Sequence, residues 1–419
     1  MNPDTIRYSQ TAWSKARDEI DAMPWSQWIF RCFTLMNRFS PSRLAICWKM
    51  LWAYFVSGAR SLTTHSLPVR TTLITMVRNE RDILEAFCAH ALSLFDRIIL
   101  VDHLSSDGTR EYIRLLSDSH PKVECYFFDE PGYYQSELMT YVAQNLVDRE
   151  MPGWVFFLDA DEFLPFRSRE AFDSRLAELA AFPVISMPWL NLIPLDMECG
   201  KIEDQLFLGP PRPSRHRKIA FQPSRVPPAD YFIAQGNHAL FLGDRSTKIG
   251  LPARSGFPLY HLPIRTRRQL HSKILCGIES YRNMGGDRRG KNGIHWDEIY
   301  RIMETSSLTD ELMAGITVQY GDVLYPPYER NLDELRRNGY RELRMEIGAV
   351  RPGITFPGME GAGPGNDTPD AGDAPGMPLQ SASGYRIDFD RSIHSMRVVE
   401  CLVPGNLCLR ESGIAPPAP

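Results

Sequence analysis

Residues 154–163 read WVFFLDADEF, five apolar residues in a row followed by three carboxylates within four positions. An unbroken apolar run of that length reads as a strand. Asp159 and Asp161 stand two apart directly after it. Positions i and i+2 of a strand face the same way, so the spacing predicts two carboxylates side by side at a strand end. Such a pair suits Mg²⁺ or Mn²⁺, hard cations that take oxygen ligands and complete their shell with phosphate oxygens and water. The chemistry that needs this arrangement is departure of a diphosphate, whose growing charge a bridging metal stabilises. The same three letters alone also read as a solvated acidic turn. Their place at the end of the fourth strand of an alternating series favours the ligand reading.

That series begins at residue 71. TLITMV, RIILVD and VECYFFD are short β-branched or aromatic runs upstream of WVFFLDADEF, and the segments between them have helical periodicity. Strands alternating with helices of roughly 10–15 residues predict a mostly parallel α/β sheet with crossover helices. Ligands of such sheets gather at the carboxyl ends of the strands. Here those ends read VRNE, VDHLSSDGT, FDEPGYYQ and LDADE, polar where the strands are hydrocarbon. Asp102 at the tip of RIILVD is a candidate partner for a base N–H or a ribose hydroxyl. Asp107 in the following turn reads equally as a helix cap. Further on, VISMPWLNLIP, IAQGNHALFL and GFPLYHLPI look like additional strands, and residues 200–235 look loop-like. A basic helix, RTRRQLHSKILCGIESYRN, follows from residue 265.

The rest of the chain frames this unit. Residues 1–70 read as an N-terminal helical segment, 71–285 as the α/β domain and 286–351 as a helical extension. Residues 352–384 form a Gly/Pro-rich stretch too poor in apolar side chains to order itself, a predicted disordered linker. Residues 385–419 form a C-terminal tail that either docks back as a β-like patch or stays loose. The formal net charge of −4 argues against bulk nucleic-acid binding, without excluding a basic pocket for one diphosphate. Eight cysteines are scattered without a CxxC pair, which argues against a zinc cluster and for buried, reduced thiols. The first 24 residues carry no apolar core of a secretory leader, so a cytoplasmic protein is expected. The stretch 44–56, LAICWKMLWAYFV, is too short to span a bilayer and reads as a packed helix or as a peripheral contact with the inner membrane face.

TMVRNERDILEAFCAH, RIILVDHLSSDGTREYI and VFFLDADEFL together resemble the family 2 glycosyltransferases, which have the GT-A fold. The resemblance is strong over residues 71–166 and weaker to about residue 285. It implies a nucleotide-diphosphate sugar as donor, a hydroxyl of a glycan, lipid-linked glycan or protein as acceptor, and Mg²⁺ or Mn²⁺ as cofactor. Carried over residue by residue, it implies that Arg78, Asn79 and Glu80 line the nucleotide pocket and that Asp102 contacts base or ribose. Asp159 and Asp161 become the metal-binding pair, with Asp161 the direct ligand and Asp159 nearer the ribose and diphosphate. His261 completes the metal shell, with His238 as a rival. Lys218, or the basic residues from Arg265 to Lys273, would face the diphosphate. His103 and Leu104 depart from the family's usual turn. An inverting member needs a carboxylate base, and the E-D pair between the metal motif and residue 285 is Glu203-Asp204, with Asp204 favoured and Asp244 a further candidate.

Other classes fit less well. A sugar-1-phosphate nucleotidyltransferase would want a glycine-rich phosphate loop after the first strand, and VRNERD has no glycine. A NAD-dependent oxidoreductase would want GxGxxG there. A binding module that has lost catalysis remains open, and the intact acidic pair speaks against it.

Overall fold

The computed structural model describes residues 70–147, 153–198, 201–226, 231–243, 249–284, 293–322, 324–345, 384–390 and 395–401. The expected N-terminal helices, the 44–56 stretch, the linker at 352–383 and Asp244 lie outside them.

The first half alternates as the sequence predicts: β1 (Arg70–Val77), α1 (Arg81–Leu94), β2 (Arg97–Asp102), α2 (Thr109–Ser119), β3 (Val123–Phe127), α3 (Gln135–Asn145) and β4 (Gly153–Phe157). These four strands are parallel neighbours in the order β3-β2-β1-β4. The order reverses between β1 and β4, the switch point where ligands of open α/β sheets bind.

Why the strands are continuous hydrocarbon is visible in their burial. Leu73 and Val77 of β1, Ile98 and Leu100 of β2, and Trp154 and Phe156 of β4 face one core with α1 and α2. Ile74, Ile99, Val101, Val155 and Phe157 point the other way, into a second core with α3. A sheet covered on both faces needs apolar side chains at every position, not at alternate ones.

Past β4 the chain makes β5 (Glu162–Phe163), α4 (Arg169–Leu179), β6 (Val184–Asn191), β7 (Ile193–Pro194), β8 (Phe207–Gly209), β9 (Arg217–Phe221), β10 (Tyr231–Ile233), β11 (Leu240–Leu242), β12 (Ile249–Gly250), β13 (Arg254–Ser255) and β14 (Leu259–His261). Helices α5 (Arg267–Asn283), α6 (Ile294–Thr305), α7 (Asp310–Val318) and α8 (Leu332–Arg337) and strands β15 (Arg341–Leu343), β16 (Gly384–Asp390) and β17 (Ser395–Cys401) complete the described chain. The main sheet has eleven strands, in the order β17-β16-β3-β2-β1-β4-β9-β6-β14-β5 with β13 on β6. It is mixed, mostly parallel and flanked by helices, in agreement with the GT-A architecture expected from the resemblance.

Two expectations for the second half are corrected. Residues 200–235 are not all loop: RKIAF becomes β9, antiparallel between β4 and β6. Five residues between Arg- and Pro-rich stretches are too few to display a period. The segment 233–242 is not one strand. β10 and β11 pair as an antiparallel hairpin, turned at Gly236 with φ 74° and Asn237 with φ 57°. Glycine and asparagine are the residues that enter this left-handed region at least cost.

At the far edge, β16 adds parallel to β3 and pairs antiparallel with β17. Cys88 and Cys125 are buried free thiols, and burial pushes Cys125 up to about 11. No helix among the described residues is long and apolar enough to cross a membrane.

Candidate active site

Strand β4 ends at Phe157, one residue before the apolar run does, and residues 158–161 connect it to β5, which begins at Glu162. The two aspartates therefore lie on this connection, and the strand rule that set them side by side does not apply. Both line one cavity of about 310 Å³ at the carboxyl ends of β1 and β4, but they take different partners. Asp159 accepts from the Lys218 ammonium at 2.5 Å and from Gln135 Nε2 at 3.3 Å. Asp161 accepts from the Lys273 ammonium and stands 3.8 Å from His261 Nε2.

Strand register explains the company Asp161 keeps. Short β5 runs antiparallel to β14 with Glu162 opposite His261, and β14 runs parallel to β6 with His261 opposite Asn191. Asn191 Oδ1 lies 2.8 Å from His261 Nδ1, and the Asn191 amide nitrogen donates to the Thr317 carbonyl at 3.1 Å. With its amide so oriented, Asn191 accepts the Nδ1 proton, and Nε2 is left with a lone pair toward Asp161. Trp189 stacks on the imidazole at 4.1 Å. Burial pushes His261 down to about 3 against the pull of Asp161, so it is neutral near pH 7.

Asp161, Glu162 and His261 offer ligand atoms within 4.8 Å of one another. Glu162 is fully buried, its Oε2 accepts the Asp159 amide at 3.0 Å, and its Oε1 has no hydrogen-bond partner, with Lys218 Nζ 3.5 Å away. Two carboxylate oxygens and a neutral imidazole, one oxygen still seeking a partner, fit a divalent cation such as Mn²⁺. The candidate trio that the geometry groups thus differs from the expected one: Glu162 enters it, and Asp159 pairs with Lys218. The signal for Glu162 was its adjacency to Asp161 in DADEF.

The charges are closely balanced. Burial raises the Asp161 carboxyl, but the Lys273 ammonium, helped by Arg265, more than offsets this and holds it well below the usual carboxylate range; His261 adds to that only when protonated. Burial lowers Lys273 and Lys218, and their carboxylate neighbours reverse the sign, so both stay charged. Burial raises Glu162 well above its ordinary value. Burial likewise lifts Glu80 to about 7 despite Arg265, whose guanidinium donates to it at 2.6 Å and to both oxygens of Asp82.

The remaining expected residues divide clearly. Arg78, Asn79 and Glu80 follow β1 and line the cavity, as do Lys218 and His238. Asn79 has φ 53° and ties three elements together: its amide N–H donates to Ser105, its Oδ1 accepts from the Ser106 amide, and its Nδ2 reaches Cys276. Asp102 is fully buried and does not line the cavity; one oxygen accepts from Arg110 Nε at 2.6 Å and the other has no hydrogen-bond partner. Asp107 accepts from the amides of Thr109 and Arg81, the first residues of α2 and α1, at 3.0 Å each, while the N-cap position of α2 is Gly108. Glu203 and Asp204 sit exposed on a short 3₁₀ turn and do not line the cavity. Of the basic run, Lys273 reaches the cavity while Arg267 pairs with Glu198 and Asp310.

Helix α5, capped by Thr266 Oγ1 on the Gln269 amide at 3.1 Å, supplies one wall. Lys273, Cys276, Gly277, Ser280 and Tyr281 line the cavity at the spacing of one helical face. Trp296 packs on Gly277, where a Cβ would stand 2.2 Å from its ring. With Tyr133, Tyr281 and Trp296 within 5.0–5.8 Å of one another, the wall is aromatic. Sequence reasoning did not single out this wall, because its members come from two distant segments.

Residues 72–171 match the family model described as Glycosyl transferase family 2. Over these residues the chain is similar to the family 2 glycosyltransferases. That glycosyltransferase match spans β1 to the first turn of α4 and so includes Arg78 to Glu80 and Asp159 to Glu162, while Lys218, His261 and Lys273 lie beyond it. Among solved structures, the chain is similar to mannosyltransferase PcManGT from Pyrobaculum calidifontis in complex with GDP-Man and Mn2+, at 13% identity and a TM-score of 0.29, with 68% of this chain and 92% of that chain covered. That likeness is too slight to argue from. No curated protein matches the chain.

Proposed function

We propose that the chain transfers a sugar from a nucleotide-diphosphate sugar to a hydroxyl acceptor, assisted by Mg²⁺ or Mn²⁺ and with inversion, in polysaccharide or glycoconjugate synthesis. The observation that carries this is the meeting of Asp161, Glu162 and His261 within 4.8 Å, beside the buried Lys218 and the partly exposed Lys273, at the switch point of a family 2 domain. Those three residues would hold the cation, which when bound supplies charge stabilisation to the departing diphosphate. Lys273 and Lys218 provide further positive charge for the phosphates. The aromatic wall of Tyr133, Tyr281 and Trp296 offers flat faces for a base or sugar ring and keeps bulk water from the reacting carbon.

Inversion needs a base within about 3 Å of the acceptor hydroxyl, directly or through one water. Glu203 and Asp204 are outside the cavity, whereas Glu80 lines it and titrates near neutrality, so Glu80 is the better-placed carboxylate. The test of the function is a thermal-shift panel of nucleoside diphosphates and nucleotide sugars, with and without Mn²⁺. One base should raise the melting temperature, and Mn²⁺ should enlarge the rise. No shift with any of them would return the chain to the binding-module reading.

A further inference from the structure

We propose that the Lys273 ammonium stands in for the divalent cation at Asp161 and must leave before the cation binds, so that the cation is held firmly only once a diphosphate has taken Lys273 over. This rests on the reading of the cavity as a cation–diphosphate site. Lys273 Nζ pairs with Asp161 Oδ2, the same oxygen that lies 3.8 Å from His261 Nε2. That oxygen is the one Asp161 turns toward His261, where a cation joining the two would sit. Two positive species cannot share it without repulsion that the buried setting leaves poorly screened.

Lys273 pairs with one carboxylate, whereas its neighbour Arg265 pairs with two. Arg265 is held by Glu80 and by both oxygens of Asp82. Lys273 has a flexible four-carbon stem, a side chain 18% exposed to the cavity, and the Tyr320 ring 5.5 Å from its ammonium as a second resting place. An arriving diphosphate offers it a stronger partner in the same cavity. Cation and nucleotide then favour each other's binding by the same factor, since linkage is reciprocal.

The test is titration of Mn²⁺ into the full chain, followed by isothermal calorimetry and by loss of the free Mn²⁺ electron spin resonance signal. Wild type, Lys273→Met and Lys273→Arg are compared alone and with GDP or UDP, each variant first checked for native near-ultraviolet circular dichroism. Wild type should bind Mn²⁺ weakly alone and far more tightly with the right nucleotide. Lys273→Met should bind Mn²⁺ alone at least about tenfold more tightly than wild type, with a smaller further gain from nucleotide. Lys273→Arg keeps the charge and should stay weak; should Lys273→Met fail to fold, Lys273→Gln takes its place. If the neutral variant binds Mn²⁺ no more tightly than wild type while nucleotide still promotes binding in both, the exchange is overturned and the proposed function stands. If Mn²⁺ binds to none of them with any nucleotide, the cation site itself is overturned.

Discussion

Asp161 and Glu80 share a cavity and burial raises both carboxyls, yet their neighbours leave them on opposite sides of their ordinary values. Asp161 has a full ammonium in contact and stays ionised, whereas Glu80 shares Arg265 with Asp82 and is lifted to about 7. Replacing Asp161 by Ala removes one of the proposed cation ligands and the carboxylate that pairs with Lys273. We expect Asp161→Ala to abolish turnover and the Mn²⁺-dependent part of nucleotide stabilisation, with native circular dichroism retained; full activity that still required metal would contradict the assignment. For Glu80 the sign follows from proton counting. Between the unfolded value near 4.5 and the folded value near 7, the native state binds the extra proton, so stability falls as pH rises through that window. Wild type should therefore lose on the order of 1–3 kcal/mol more than Glu80→Gln between pH 5 and pH 8, read from urea denaturation without ligands. Glu162 and Asp102, also raised by burial, add slope of the same sign to both proteins, so the difference between them isolates Glu80.

Strand β9 does more for the site than its five residues suggest. It fills the gap between β4 and β6, and it carries Lys218 to Asp159. Beside the antiparallel ladder that joins it to β4, Phe221 of β9 stacks on Phe157, with ring centroids 6.0 Å apart and both side chains fully buried. Phe157→Ala should cost about 3–5 kcal/mol by the usual scale of aromatic truncation. It should also weaken nucleotide binding, because the loosened strand lets Lys218 drift from Asp159. Chemical denaturation checks the first effect and the nucleotide thermal shift checks the second. A full loss of stability with undiminished nucleotide affinity would show that β9 does not position the lysine.

Across the whole molecule, the sheet extends from the candidate site to a C-terminal hairpin, β16–β17, laid along the edge of β3. Ile387 and Phe389 of that hairpin are buried against the α3 side of the sheet, with Phe389 4.9 Å from the Tyr134 ring. A chain ending at residue 345 should lose about 3–6 kcal/mol, from two buried side chains at roughly 1.5–3 kcal/mol each. It should also self-associate through the uncovered β3 edge while still binding nucleotide, since no hairpin residue lines the cavity. Urea denaturation and size-exclusion chromatography test both effects. The sequence by itself determined the alternating first half, the hydrocarbon runs of its strands and the cluster of carboxylates that follows β4. Those features are local: each depends on periodicity within about ten residues. It also marked Arg78 to Glu80, Lys218 and His261, which reach the cavity. The tertiary structure alone decided which charges meet. The strand rule for Asp159 and Asp161 failed because β4 ends at Phe157, and the pairing of Glu162 with His261 is a register between strands about a hundred residues apart. Lys273 joins them from a helix that follows β14, and Glu203 and Asp204 fall outside the cavity for the same reason: which side chains share a cavity is a property of strand register and helix packing, and a linear pattern does not contain it.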